Sequence, residues 1–122
     1  MTQQIILIFG ATFGMLAVVF GAFGAHALKK ILNTDQLKSF ETGVKYQMYH
    51  ALVLLFSGTY FSTPNQLMGC SFIIGTILFS FSIYGLVLSD AKGKKMKFLG
   101  PITPLGGLLL VIGWIMLLIE FI

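Results

Sequence analysis

Apolar residues follow one another in four long runs along this chain of 122 residues. The runs cover about residues 5–27, 44–61, 67–89 and 104–121, and they contain very few charged side chains. A membrane-spanning helix needs roughly 20 mainly apolar residues, and helices satisfy their own backbone hydrogen bonds within lipid. The pattern therefore predicts an all-α protein, a transmembrane four-helix bundle that forms a single integral membrane domain over residues 1–122.

The connection between the first two runs has an amphipathic pattern. Asn33 followed by Gln36 resembles a capping box, which predicts a helix that begins near Thr34. We expect an amphipathic stretch at the membrane surface that leads into the second span, with a bend at Gly43. Its apolar positions recur at helical spacing, at Leu37, Phe40, Val44 and Met48.

The other two connections are short. Residues 62–66, STPNQ, form an uncharged segment with Pro64 as a helix breaker, and residues 90–100 form a basic one. After the latter, Thr103 followed by Pro104 predicts the cap and the first residue of the fourth helix.

Composition supports a membrane location. Hydrophobic residues make up 57% of the chain and charged residues 10%, whereas soluble domains carry about 25% charged residues.

Ala25-His26-Ala27 resembles a signal-peptide cleavage site, but no basic residue precedes the first run. The run is also longer than the roughly 7–15 residues of a signal core. We therefore expect a retained span.

The basic residues are all lysines, and they lie in the first and third connections. The second connection and both ends of the chain have none. By the positive-inside rule the lysine-bearing side is cytoplasmic, so both termini are expected outside the cytoplasm of a multi-pass protein of the cell (inner) membrane. We expect contact with the lipid bilayer and no binding to nucleic acid. The lysines expected at anionic lipid headgroups are Lys29, Lys30, Lys92, Lys94, Lys95 and Lys97.

Small residues recur along single faces of the apolar runs. Helices associate in lipid through close backbone contact, which small side chains permit. The first run has these residues at a four-three-four-three spacing, and the third and fourth runs have shorter series. We expect helix packing at Gly10, Gly14, Ala17, Gly21, Gly24, Gly75, Gly85, Gly106 and Gly113.

Most polar residues within the runs fall in the cytoplasmic leaflet. Ionisable side chains inside a membrane usually face protein or a water-filled cavity. Because consecutive antiparallel spans tend to pack together, we expect one polar cluster on this side of the bundle, a candidate ligand or proton site. Its predicted members are His26, Tyr46, Gln47, His50, Tyr84 and Thr103.

Four ordered motifs resemble those of a known family. They are GAFGAHAL (21–28), TGVKYQMYHAL (42–52), GTILFSFSIYGL (75–86) and GPITPLGG (100–107), followed by Gly113-Trp114. They are similar to the small four-helix integral membrane proteins catalogued as a domain of unknown function, which occur in many bacteria and have an animal transmembrane relative. The resemblance spans nearly the whole chain and implies a four-helix membrane fold, but no activity. Phe81 departs from it, because that position is usually small.

No sequence motif indicates catalysis or a metal site, and we expect no cofactor. The single Cys70 excludes an internal disulfide and a redox-active cysteine pair. We expect a helix-packing or assembly unit, either a homo-oligomer or a subunit of a larger membrane complex. The alternatives are a small transporter or proton-coupled carrier, or a lipid- or small-molecule-binding protein, with its site around His26 and His50. A haem- or metal-binding redox protein, with both histidines as ligands, is a further alternative.

Overall fold

A computed structural model describes residues 2–122, which form four long helices. Helix α1 covers Gln3–Leu28, α2 Thr34–Tyr60, α3 Gln66–Ala91 and α4 Ile102–Glu120. A 3-10 turn over Lys97–Leu99 precedes α4. The all-α prediction is confirmed, and each of the four apolar runs lies largely within one helix.

The start of α2 forms as its capping pattern predicts. The Asn33 side chain accepts a hydrogen bond from the Gln36 backbone nitrogen at 2.8 Å, and the Gln36 side chain accepts one from the Asn33 nitrogen at 3.0 Å. The helix then continues through Gly43 without interruption, so the predicted surface stretch and the second span belong to one helix. Gly43 serves close packing instead, because a Cβ there would lie 2.7 Å from the Tyr84 ring.

The start of α4 differs from its prediction. The helix begins at Ile102 after Pro101, whose φ of −68° already suits a helix. Thr103 therefore lies inside the first turn and is not the cap. Its hydroxyl forms a hydrogen bond with the Ser82 hydroxyl of α3.

Two of the helices contain π-helical turns that the sequence pattern did not predict. One covers Val19–Gly24 in α1, and the other covers Ile77–Phe81 in α3. Wide turns of this kind are rare and usually occur singly within α-helices. In α3 the wide turn lies against α4, where Phe79 contacts Gly106.

Helices α2 and α3 form the centre of the molecule. Helix α1 packs along α2, and α4 packs along α3. The large Phe81 side chain reaches α1, where its ring lies edge-on to Phe13 with centroids 6.3 Å apart. The departure from the family motif thus provides a contact between α1 and α3.

Three of the helical segments within residues 2–122 are long and apolar enough to cross a membrane: Gln3–Leu28, Gln66–Ala91 and Lys97–Glu120. Helix α2, which contains the predicted span 44–61 except for its last residue, is not among them. Lys45, Gln47 and His50 lower the mean hydropathy of that part of α2. The outer faces of α1 and α4 expose large apolar side chains, among them Met15 and Leu108.

Candidate functional site

Gln47 of α2 links three helices. Its side chain is fully buried, with 0% of its surface exposed. The amide nitrogen donates a hydrogen bond to the Phe13 carbonyl of α1 at 2.9 Å, and the amide oxygen accepts one from the Tyr84 hydroxyl of α3 at 2.7 Å. One side chain therefore joins α1, α2 and α3, and both ends of its amide are hydrogen-bonded.

A second link between α2 and α3 starts from the wide turn of α3. The Ser80 hydroxyl is buried and donates to the Gly43 carbonyl at 2.7 Å. The bond requires close approach of the two helices, and Gly43 permits it because it has no side chain. Ser80 lies within one of the four sequence motifs, but it was not predicted to belong to the polar cluster.

His50 joins α2 to α4. The indole nitrogen of Trp114 donates to His50 Nε2 at 3.1 Å, while His50 Nδ1 lies 2.6 Å from the Tyr46 carbonyl. An indole N–H can only donate and a carbonyl can only accept. The geometry therefore fits a neutral imidazole that carries its proton on Nδ1.

The His50 ring is also packed by aromatic neighbours. Its centroid lies 5.9 Å from that of Phe72 in α3 and 6.0 Å from that of Trp114 in α4. Only 4% of the residue is exposed. We refer to these hydrogen-bonded side chains as the polar network, which consists of Gln47, His50, Ser80, Tyr84 and Trp114.

The predicted six-residue cluster forms only in part. Gln47 and Tyr84 bond to each other, and His50 lies about one helical turn after Gln47 on α2. Tyr46 is 41% exposed and contributes its carbonyl to the His50 contact. Thr103 bonds to α3 outside the polar network.

His26 does not join the polar network. It is exposed near the end of α1, and within residues 2–122 no hydrogen bond of its side chain is found. A π turn holds more residues than an α turn and so rotates the residues that follow it around the helix axis. The turn over Val19–Gly24 ends two residues before His26, so the direction of this side chain does not follow from regular helical spacing.

The predicted packing glycines lie at helix contacts of different closeness. A Cβ at Gly10 would lie 3.1 Å from the Ala51 carbonyl oxygen of α2, whereas one at Gly14 would make an ordinary contact of 3.7 Å. Gly85 differs, because it faces Leu99 of the connection before α4. Ala17 is buried. The remaining predicted positions contact a neighbouring helix: Gly21 and Gly24 on α2, Gly75 and Gly106 across the α3–α4 contact, and Gly113 on Phe72.

A groove lies at the lysine-bearing end of the molecule. It has a volume of about 470 Å³ and is bordered by the start of α2, the end of α3 and the start of α4. We call it the helix-end groove. It is lined by Asp35, Gln36, Ser39, Ile83, Leu86, Val87, Asp90, Lys95, Gly100, Thr103 and Pro104.

The lysines predicted at lipid headgroups are all exposed. Of these six, Lys95 lines the helix-end groove. Sequence reasoning did not identify the groove, since its walls come from three helix ends that are far apart along the chain. Within residues 2–122, no group of three or more histidine, cysteine, aspartate or glutamate side chains is arranged to hold a metal ion.

Known proteins similar to this chain are membrane proteins. The family model described as "Protein of unknown function (DUF423)" matches residues 20–107. A UPF0382 membrane protein of Staphylococcus aureus is 43% identical over 121 residues, which cover 97% of this chain and 95% of the relative. A UPF0382 membrane protein of Staphylococcus haemolyticus is 39% identical over the same shares of both chains.

A third relative, the UPF0382 membrane protein of Staphylococcus saprophyticus, is 39% identical over 120 residues and covers 96% of both chains. No solved structure matches the chain. The family model covers well over half of the chain, and the relatives align over almost its full length. The chain therefore belongs to the DUF423 family of membrane proteins.

Proposed function

We propose that this chain is a four-span transmembrane bundle that works as a helix-packing or assembly unit. The observation that carries the proposal is the closed environment of Gln47 and His50 within the polar network. Gln47 is fully buried with both ends of its amide bonded, and His50 has both ring nitrogens engaged. Side chains used in this way stabilise contacts between helices.

The direction of the polar side chains supports α2 as a membrane span, which brings the number of spans to four. In its second half, Gln47, His50 and Ser57 are buried, with 0%, 4% and 1% of their surfaces exposed. The residues on its outer face include Leu52 and Phe56, which are apolar and exposed. A helix with this division can cross a membrane even though its mean hydropathy is low, because its polar residues face other helices.

The lysine distribution supports the orientation. With four spans, the lysine-bearing first and third connections lie on one side, which the positive-inside rule makes cytoplasmic. The helix-end groove then faces the cytoplasm, and both ends of the chain lie outside it. We propose the bacterial cell membrane as the location.

The same geometry favours assembly over transport or catalysis. A carrier needs an accessible cavity around its binding residues, whereas His50 is packed between Phe72 and Trp114. The outer faces of α1 and α4 offer apolar surface to lipid or to further helices. We propose that one of these faces contacts a second copy or another membrane subunit.

Cysteine cross-linking in native membranes tests the assembly proposal. In a Cys70→Ala background, Leu108→Cys and Ile115→Cys place thiols on the exposed face of α4, and Leu110→Cys places a control thiol in the core. We expect cross-linked species of defined mass from an outer position and none from Leu110.

Native mass spectrometry in mild detergent and flux assays in proteoliposomes complete the test. We expect a homo-oligomer or a stoichiometric complex, and no pH-dependent flux. The proposal would be contradicted if the protein is a single copy, gives no cross-link from Leu108→Cys or Ile115→Cys, and supports a flux that His50→Gln removes. This combination would favour a carrier.

A further inference from the structure

We propose that the helix-end groove binds the zwitterionic headgroup of an aminophospholipid, with an ammonium group and a phosphate at one site. The volume of about 470 Å³ lies within the range typical of small-molecule sites. The groove is lined by carboxylate, ammonium, hydroxyl and apolar side chains. The proposal goes beyond the assembly role, since it assigns a ligand to a surface that this role does not use.

The apolar part of the groove indicates a lipid rather than a soluble metabolite. Ile83, Leu86 and Val87 contribute this part from α3, and they belong to a segment that is apolar enough to span a membrane. The polar lining residues belong to the helix ends and the connection before α4. A lipid with its acyl chains beside α3 and its headgroup among the helix ends meets both environments.

Two carboxylates provide the ammonium-binding part. Asp35 lies in the first turn of α2, and Asp90 lies at the end of α3. The Gln36 side-chain nitrogen donates to Asp90 Oδ2 at 2.9 Å, which joins the ends of the two helices. This amide is neutral and leaves the negative charge of Asp90 in place. A primary ammonium group can donate three hydrogen bonds to such carboxylates.

The phosphate-binding part lies on the connection before α4. Lys95 lines the groove together with Gly100 and Thr103 at the start of this helix. Helix α4 has 19 residues, and among residues 2–122 no side chain forms a capping hydrogen bond to its first turn. The backbone N–H groups of Ile102 and Thr103 at the start of this helix and the lysine ammonium both favour an anion, whereas Pro104 has no N–H to contribute.

The balance of charges selects against a purely anionic lipid. The groove is lined by two carboxylates and one lysine, so a headgroup with only negative charge meets net repulsion there. For Lys95, the predicted contact with an anionic headgroup therefore becomes a contact with the phosphate of a zwitterionic headgroup. The other five predicted lysines lie outside the groove and remain available to an anionic membrane surface.

Lipid binding to delipidated protein tests the inference. Phosphatidylethanolamine and phosphatidylglycerol with identical acyl chains are added to the full chain in detergent, and the bound lipid is counted by native mass spectrometry. We expect tighter binding of phosphatidylethanolamine. The double substitution Asp35→Asn and Asp90→Asn should weaken it roughly tenfold, since hydrogen bonds to charged groups contribute about this much.

Matched controls separate the groove from general electrostatics. Lys95→Gln should weaken binding of phosphatidylethanolamine, whereas Lys94→Gln, outside the groove in the same connection, should not. Glu41→Gln removes an acid outside the helix-end groove and should also leave binding unchanged. Lys94, Lys95 and Glu41 are exposed, so the thermal midpoints of their variants should equal that of the unmodified chain. The double aspartate variant should have a slightly lower midpoint, because it weakens the bond from Gln36 and removes a favourable charge from the first turn of α2; its lipid binding is therefore measured below that midpoint.

Three results would overturn the inference. One is equal binding of the two lipids by the unmodified chain. Another is unchanged phosphatidylethanolamine binding after both aspartates are replaced. The third is displacement of the lipid by free ethanolamine phosphate at comparable concentration, which would identify a soluble ligand instead of a membrane lipid.

Discussion

Replacement of Gly106 by alanine should destabilise the protein through one specific backbone contact. A Cβ at this position would lie 2.7 Å from the Leu78 carbonyl carbon and would overlap the Phe79 backbone nitrogen. Backbone atoms of a packed helix cannot move aside as the end of a flexible side chain can. The wide turn of α3 therefore has to separate from α4, and overpacking of this kind typically costs about 1–3 kcal/mol.

Gly107 provides a matched control on the same helix turn. A Cβ there would lie 3.6 Å from the Phe79 ring, an ordinary van der Waals distance. Both substitutions add one methyl group and raise helix propensity by about the same amount, roughly 1 kcal/mol in water. Gly107→Ala should therefore be neutral or stabilising, whereas the cost at Gly106 should exceed any gain in helix propensity.

Thermal unfolding in one detergent, followed by circular dichroism, measures both variants. We expect a lower midpoint for Gly106→Ala and an unchanged or higher midpoint for Gly107→Ala. A shift of roughly 2–8 °C corresponds to about 1 kcal/mol for domains in this size range. Equal midpoints for the two variants would refute the view that α3 and α4 are in close backbone contact at Gly106.

Further expectations concern the polar network, the two histidines and the haem alternative. Gln47→Leu leaves the Tyr84 hydroxyl without its partner and should lower the free energy of unfolding by about 1–3 kcal/mol. When Gln47→Leu is combined with Tyr84→Phe, the total loss should be smaller than the sum of the two single losses. Strict additivity would contradict the hydrogen bond between the two side chains. Trp114→Phe should lower that free energy by about 0.6 kcal/mol, the average for a hydrogen bond between membrane helices, and no loss would argue against the contact. His26→Ala should change it by less than about 0.5 kcal/mol, since the residue is exposed, whereas His50→Ala should cost more; equal effects would contradict the different placement of the two histidines. The absorption spectrum of the purified protein should show no Soret band, and a stoichiometric haem that either histidine substitution removes would establish the redox alternative.

Local sequence rules predicted the features that depend on short separations. Asn33 and Gln36 form the expected reciprocal cap because both partners lie within one helical turn. The glycine spacing in α1 predicted a packing face on this helix, since helical periodicity places such residues on one side, but it did not predict that the partner would be α2.

Features that depend on helix distortion or on distant partners could not be predicted in this way. The π turn over Val19–Gly24 changes the direction of every residue after it, including His26. The bond from Trp114 to His50 joins residues 64 positions apart, and hydrophobic periodicity carries no information about which side chains will meet. The start of α4 was also misplaced, because the helix begins at Ile102 after Pro101, two residues before the start that the Thr103-Pro104 pair predicts.

The central claim is that α2 crosses the membrane together with the other three helices. Cysteine accessibility in intact cells measures this directly, with a membrane-impermeant maleimide and a Cys70→Ala background. The three reporter positions are exposed and lie in the three connections: Lys30→Cys, Ser62→Cys and Lys94→Cys. With four spans, only Ser62→Cys should react before permeabilisation, and the other two should react only afterwards. Labelling of Lys30→Cys and Ser62→Cys from the same side would show that α2 does not span and would contradict the account.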